Sequence, residues 1–140
     1  MKAGDALPSV TKLVTQQGVN DYARASGDFN PLHLDAEFAA KSSYGRRVVH
    51  GMFVLAYVSE MMTLAFGRPW LESGRLKVRF RAPVYPESEV TTFGTVLEVL
   101  PDGDQVRLEC SVGCRNQDGE EVISGTASVA LPGQCAEESG

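Results

Sequence analysis

Residues 26–33, with the sequence SGDFNPLH, bring a carboxylate, a carboxamide and an imidazole into one short stretch. Asp28 and His33 are five positions apart, a spacing that would separate them by a rotation of about 140° on an unbroken α-helix. Pro31 disfavours helical backbone at the residue before it, and the glycine of the stretch tolerates turns. We therefore expect a loop that folds back and places the Asp28 carboxylate and the His33 imidazole around one water molecule.

The same stretch also fits an ordinary turn, because Asp and Asn beside Pro are common turn residues. On the residues alone, the catalytic interpretation and the turn interpretation both stay open.

A second group, the sequence HGM at positions 50–52, lies where a long apolar helix is predicted to begin. The first N–H groups of a helix lack an internal partner, and the helix dipole places about half a positive charge there. Gly51 would let a ligand come close to this backbone. The alternative is that Gly51 only relieves a tight helix entry and that His50 packs beside it.

Asp28, His33 and the Gly51 N–H together fit one type of reaction, the addition of water to a carbon–carbon double bond conjugated with a carbonyl. That reaction needs a base for the water, a proton source for the α-carbon and hydrogen-bond donors for the enolate oxygen.

The elements that must position these groups are a long helix and a run of strands. Residues 50–66 are apolar at nearly every position, which predicts a core helix that is surrounded on most sides. Residues 75–84 alternate apolar and basic side chains, and three further β-rich runs are separated by Asp-Gly turns. With a short strand near residues 9–14, we expect an α+β fold in which an antiparallel sheet of about five strands wraps around the central helix.

Two shorter helices are predicted on either side of the SGDFNPLH stretch. Thr15 fits the start of the first helix, and Asp35 fits the N-cap of the second. The stretch therefore connects two helices.

Length and composition describe one globular domain. The 140-residue chain is 43% hydrophobic with a net charge of −5, so it can bury a core, and its acidic balance argues against nucleic-acid binding. The apolar helix carries Glu60 and is shorter than the roughly 20 residues of a membrane span. The first residues lack the apolar run of a signal peptide. Cys110 and Cys114 are too far apart along one strand to form a disulfide with each other. We therefore expect a cytoplasmic protein that does not enter the membrane.

Three segments resemble one known family. The sequence YARASGDFNPLHLDAEFA at 22–39 resembles the hydratase 2 motif of the MaoC-like enzymes, which are (R)-specific enoyl-CoA hydratases and (R)-3-hydroxyacyl dehydratases. VVHGMFVLAYVSEM resembles the start of their central helix, and FRAPVYPESEV resembles their Phe-x-x-Pro-Val strand entry. The resemblance implies a hotdog fold, with a single MaoC-like domain over residues 1–132 and a flexible tail over 133–140.

The resemblance also implies roles for individual residues. Asp28 and His33 match the catalytic pair that holds the attacking water, and Asn30 matches the asparagine that supports the loop. Gly51 matches the residue whose N–H holds the thioester carbonyl. Ser59 matches a serine near the active site, although it also fits a core hydroxyl bonded to a carbonyl one turn earlier.

One departure lies at Glu87 and Ser88, where relatives often carry Gly-Asp in a turn. We expect it to affect the local turn geometry and not the chemistry.

The implied reaction is reversible syn hydration of a trans-2-enoyl thioester to an (R)-3-hydroxyacyl thioester, a hydro-lyase reaction. Coenzyme A or phosphopantetheine would enter as part of the substrate, and no metal or redox cofactor is expected. Two alternatives are a non-catalytic or heterodimer-partner hotdog subunit that binds acyl thioesters, and a hotdog thioesterase.

Substrate contacts are predicted on two sides of the site. Arg46 and Arg47, together with the basic row of the strand at 75–81, could meet the phosphates of coenzyme A or the acidic face of an acyl carrier protein. A solvated strand face explains much of the same charge. Phe66 and Trp70 could limit the acyl pocket, or they could belong to the core. The resemblance also implies a homodimer with each site built partly from the neighbouring subunit, and it leaves a heterodimer open.

Overall fold

The protein is described by a computed structural model that covers residues 1–133. Five helices and five strands follow one another along the described chain. In chain order they are β1 Thr11–Val14, α1 Gln16–Ser26, α2 Pro31–Leu34, α3 Ala36–Ala40, α4 Gly51–Phe66, α5 Arg68–Ser73, β2 Arg75–Phe80, β3 Ser88–Asp102, β4 Gln105–Asn116 and β5 Glu121–Pro132.

The five strands form one sheet in the order β1-β3-β4-β5-β2, and every neighbouring pair is antiparallel. Strands β3, β4 and β5 make the meander that the Asp-Gly turns predict, and Gly103 and Gly119 take the positive φ angles of 63° and 82° in those turns. Strand β2 pairs with β5, although β5 is the last strand in the sequence. The sheet therefore ends in two edge strands, β1 and β2.

Helix α4 packs its buried side chains against the sheet and forms the centre of the core. Val58, Met61 and Met62 of the helix are completely inaccessible to solvent, and they belong to the same buried cluster as Val112 of β4 and Ile123 of β5. The predicted α+β architecture, a five-stranded antiparallel sheet around a long central helix, is confirmed.

The expectation that α4 is surrounded on most sides is wrong for a single chain. Met52 is 60% exposed and Leu64 is 64% exposed, although both lie on this apolar helix. The physical reason is that one open sheet covers one side of a helix and leaves the opposite side uncovered.

Two loop residues orient helix α1, which leads into the candidate site. Thr15 caps its start, as predicted, because its side chain accepts a hydrogen bond of 3.0 Å from the Gly18 N–H. Glu87 has the left-handed φ of 66° that a glycine would adopt more easily, and its carboxylate accepts from the Gln16 N–H at 2.9 Å. Glu87, at the position where relatives often carry glycine, thus accepts a hydrogen bond from the first turn of α1. Glycine has no side chain that could do so.

The basic row of β2 faces solvent, as the alternation predicts. Arg75, Lys77 and Arg79 are exposed, as is Arg81 just after the strand. On the apolar face, Leu76 and Val78 are half-buried, but Phe80 is 53% exposed.

Cys110 and Cys114 are buried free cysteines on β4, as expected for small core residues. Burial raises the pKa of both thiols to about 11, so they carry no thiolate near neutral pH.

No helix within residues 1–133 is both long and apolar enough to cross a membrane. Gly133 donates a backbone hydrogen bond to Asp104 at 3.2 Å. The predicted flexible tail lies, from residue 134 on, outside the described residues.

Gly27 ends helix α1 in a left-handed conformation, with φ of 79° and a bond from its N–H to the Ala23 carbonyl. We expect Gly27→Ala to lower the free energy of unfolding by about 1–2 kcal/mol, because a Cβ disfavours this backbone. The substituted side chain itself meets no neighbour within 4 Å, so backbone strain is the whole cost.

Gly27→Asn is the matched control, since asparagine tolerates the left-handed region better than alanine does. Urea unfolding of the three proteins measures the effect. Equal stability of Gly27→Ala and the original chain would contradict this account of how α1 ends.

Candidate active site

The stretch between α1 and α3 is a short loop followed by one helical turn. The loop expectation for residues 26–33 is therefore only partly right, because Pro31 begins helix α2 and His33 lies within that helix. The reason is that proline is favoured in the first turn of a helix, where its missing N–H costs nothing. Asn30 caps α2, since its side-chain oxygen accepts from the Leu32 N–H at 3.0 Å.

Asp28, His33 and His50 form a compact cluster. One carboxylate oxygen of Asp28 and one ring nitrogen of each histidine lie within 4.8 Å of one another. Asp28 is exposed, His33 is half-buried and His50 is buried. The fold thus brings the two residues of the sequence prediction together and adds a third.

The hydrogen bonding of His33 defines which of its nitrogens is free. His33 Nδ1 lies 2.8 Å from the Val48 carbonyl oxygen, which can only accept, so Nδ1 carries the proton. In the neutral ring, Nε2 then holds an unshared electron pair. His33 can therefore accept a hydrogen bond or a proton at Nε2 without losing its orientation.

His50 carries its proton on the other ring nitrogen, Nε2. Its Nε2 lies 3.1 Å from the backbone carbonyl oxygen of Asp28 and must donate to it. Its ring stacks on that of His33 with centroids 3.9 Å apart and an angle of 25°. Burial lowers the pKa of His50, and the neighbouring His33 acts in the same direction, so the ring is neutral near pH 7. The sequence indicates only a packing role for His50, and its position directly before Gly51 is the one signal that points further.

Gly51 is the first residue of α4, so its N–H has no acceptor within the helix. The ring of Phe80 lies close to its Cα, and a Cβ built on Gly51 would be 2.9 Å from Phe80 Cε1. Glycine therefore keeps this helix start open beside the aromatic ring.

Gly51 and His33 line the same cleft, which has a volume of about 340 Å³. Most of its lining residues are apolar, and they include Val48, Val49, Val54, Phe80, Val122 and Ile123. His33 of the polar cluster and the N-terminus of α4 thus face a mainly apolar cleft, whose size suits a small ligand or part of a larger one.

Arg46 and Arg47 line a neighbouring cleft of about 300 Å³, together with Gln16, Gly45 and Glu87. The Arg46 guanidinium lies 4.4 Å from the centre of the Tyr85 ring, and Arg47 donates to the Leu34 carbonyl at 3.5 Å. The two arginines are therefore beside the cleft of His33 and Gly51 but do not line it.

Ser59, Phe66 and Trp70 lie further along the core and do not line the cleft either. Ser59 is eight residues after Gly51, or about 12 Å along the helix axis. Its hydroxyl accepts from the Trp70 indole N–H at 3.0 Å, which differs from both roles considered for it from sequence. Trp70 is only 6% exposed and belongs to the core cluster. The proposed contribution of these three residues to catalysis or to the acyl pocket stays a prediction.

The cluster of Asp28, His33 and His50 also contains the donor atoms that a divalent metal ion would use. The two rings are nearly parallel, however, so their in-plane electron pairs do not converge on one point. The stacking disfavours a shared ion, and the expectation of chemistry without a metal stays a prediction.

The chain matches the model of the MaoC-like domain over residues 4–108. It is 31% identical over 121 residues to a 3-hydroxybutyryl-CoA dehydratase of Methylorubrum extorquens, covering 86% of this chain and 75% of the relative. It is 30% identical over 133 residues to a mitochondrial 3-hydroxyacyl-[acyl-carrier-protein] dehydratase of Arabidopsis thaliana, covering 94% and 78%.

The structure is similar to that of an unliganded R-hydratase from Pseudomonas aeruginosa, with a TM-score of 0.81 and 28% sequence identity over 95% of this chain and 83% of the other. The predicted hotdog fold is therefore confirmed, and the chain belongs to the MaoC-like domain family.

Proposed function

We propose that the protein catalyses the reversible syn hydration of a trans-2-enoyl thioester to the (R)-3-hydroxyacyl thioester. The observation that carries the proposal is that Asp28 and His33 lie in one cluster and that His33 lines an apolar cleft together with the helix start at Gly51. The two relatives named as 3-hydroxyacyl-[acyl-carrier-protein] and 3-hydroxybutyryl-CoA dehydratases, and the similar structure of an R-hydratase, support it.

The reacting water would lie between Asp28 and His33. One O–H of the water donates to the Asp28 carboxylate, and the other donates to His33 Nε2, which is free because Nδ1 is bonded to Val48. Asp28 takes a proton as the water oxygen bonds to C3. In a syn addition, the same proton can then be delivered to C2 on the same face, so one water molecule supplies both added groups.

Negative charge develops on the thioester oxygen when the water attacks. The Gly51 N–H at the start of α4 is the proposed donor to that oxygen, and the helix dipole supports it. A donor of this kind typically stabilises the transition state by about 3 kcal/mol. The acyl chain would lie along the apolar walls formed by residues such as Val54 and Ile123.

The carrier portion of the substrate would extend toward the neighbouring basic residues. Coenzyme A and phosphopantetheine both carry phosphate, and Arg46 and Arg47 lie beside the cleft with side chains suited to bind it. No cofactor beyond the carrier itself is part of the proposal.

A homodimer is proposed from the surfaces that a single chain leaves uncovered. Within residues 1–133, strand β2 pairs along one edge only, and Met52 at the start of α4 is 60% exposed. Phe80, at the end of β2, is 53% exposed and packs on Gly51. A second copy joined at β2 would extend the sheet, cover these apolar groups and add a wall to the cleft. Asp28 and His33 lie together within one chain, and His33 shares its cleft with Gly51, so the partner would shape the site without supplying its chemistry.

Asp28→Asn and His33→Asn should each lower kcat by about 10²–10⁴-fold, because each removes one group that holds or activates the water. The new carboxamide at position 28 would keep the oxygen that accepts from the Asn30 N–H. The new carboxamide at position 33 would keep a donor for the Val48 carbonyl, so the fold should persist in both variants. Loss of enoyl-CoA absorbance, measured from crotonyl-CoA upward in chain length, follows the reaction.

Asp35→Asn is the matched control, since Asp35 is a nearby carboxylate that caps α3 outside the cluster. Release of free thiol in place of hydration would identify a thioesterase. A chain that is folded but hydrates neither enoyl-CoA nor enoyl-carrier substrates would favour a non-catalytic subunit.

Gly51→Pro tests the N–H donor directly. Proline is favoured at the first position of a helix, and it removes the N–H while adding a Cβ. Gly51→Ala adds a similar Cβ against Phe80 but keeps the N–H, so it is the control for steric effects. We expect kcat of the proline variant to lie about 10²-fold below that of the alanine variant. Equal rates for the two variants would exclude the Gly51 N–H as the donor.

Sedimentation analysis should give about twice the 15.1 kDa mass of the chain. Met52→Lys should shift the population toward monomer, because it places a charge on the apolar surface beside β2. Leu97→Lys, on strand β3 and 50% exposed, should leave the dimer unchanged because β4 and β5 separate β3 from β2. A monomeric original chain would contradict the homodimer and direct the search to a different partner chain.

A further inference from the structure

Among the described residues, one long-range hydrogen bond ties the loop that carries Asp28 to the rest of the protein. Within the described residues, the other hydrogen bonds of residues 27–30 join neighbours at most four positions apart. The bond from His50 Nε2 to the Asp28 carbonyl spans 22 positions. Because Asp28 is otherwise exposed, this bond sets the distance of its carboxylate from the core.

The same side chain contacts the other groups of the site. His50 stacks on His33 at 3.9 Å between ring centroids, and its second neighbour is Tyr22 of α1 at 4.8 Å. Its backbone directly precedes Gly51, at the N-cap of α4. One residue therefore touches the Asp28 loop and the His33 ring and is covalently joined to the helix start.

The surroundings of His50 hold it in a single protonation state. The residue is only 2% exposed, and its Nδ1 is buried with no hydrogen-bond partner in the part of the chain that the structure describes. A proton at Nδ1 would place an unpaired charge in the interior against the ring of His33, which is costly. His50 is thus a neutral donor at Nε2, and an unpaired buried nitrogen is retained at some cost to stability.

We infer that His50 is a positioning residue for the proposed hydration. Its Nε2–H holds the backbone of Asp28, and its ring face holds the imidazole of His33, so both groups keep a fixed position relative to the Gly51 N–H. His50 itself exchanges no proton with the substrate. The expected effect of His50 on the reaction rate rests on the proposed function. Its effect on the positions of Asp28 and His33 does not.

His50→Phe separates positioning from packing. Phenylalanine keeps an aromatic ring between Tyr22 and His33, removes the donor to Asp28 and removes the unpaired Nδ1. We expect thermal stability close to that of the original chain but a kcat lower by about 10–100-fold, with KM changed less than about threefold, because small displacements of reacting groups are costly. His50→Gln offers an amide N–H near the position of Nε2 but has no ring to stack on His33, so kcat should recover only in part and lie severalfold above that of the phenylalanine variant.

If His50 had only a packing role, the kcat values of the two variants would differ from those expected above. If His50→Phe keeps the original kcat, or if glutamine is no better than phenylalanine, His50 does not position the site.

Nitrogen-15 NMR of the full chain tests the arrangement without any substrate. The protein has two histidines, and His33→Asn leaves only one, which assigns the signals. We expect opposite neutral tautomers, with the proton on Nδ1 of His33 and on Nε2 of His50. A proton on Nδ1 of His50, or rapid exchange between its two tautomers, would overturn the inference even if His50→Phe failed to fold. The expected tautomers in a protein that hydrates no enoyl thioester would leave the positioning intact and refute the proposed reaction.

Discussion

The packing of helix α4 against the sheet fixes the helix start on which the proposed site depends. Val58, Met61 and Met62 are sealed from solvent beneath the sheet, so the helix cannot slide or rotate without opening the core. Its first turn carries Gly51, and the residue before it is His50. The helix start of the site is thus attached to the buried core, whereas Asp28 lies on an exposed loop.

The chemistry depends on a second constraint, the break between α1 and α2. Gly27 ends the first helix with a left-handed residue, Asn30 caps the second and Pro31 begins it. A continuous helix would separate Asp28 from His33, whereas the break folds them toward each other. Each residue of this connection therefore has a local backbone role, and the polar cluster results from their combination.

Much of this could be predicted from the sequence because the signals are local. The alternation of β2, the Asp-Gly turns of the meander and the caps at Thr15 and Asp35 depend on neighbours a few positions away, and each prediction is correct. Other features depend on long-range contacts. The pairing of β2 with β5, the bond from Trp70 to Ser59 and the stacking of His50 on His33 join residues whose approach no local pattern encodes. Helix α2 is not predicted for a different reason. A proline can end one helix or begin another, and residues 26–33 fit a loop equally well.

Hydration of crotonyl-CoA in deuterated water tests the central claim most directly, because the product records where both parts of the water were added. We expect (R)-3-hydroxybutyryl-CoA with one deuterium at C2, on the same face as the new hydroxyl, as determined by NMR. This result would follow from one water held between Asp28 and His33 above a thioester fixed at Gly51. An (S) product, deuterium on the opposite face, or free coenzyme A without hydration would contradict the account.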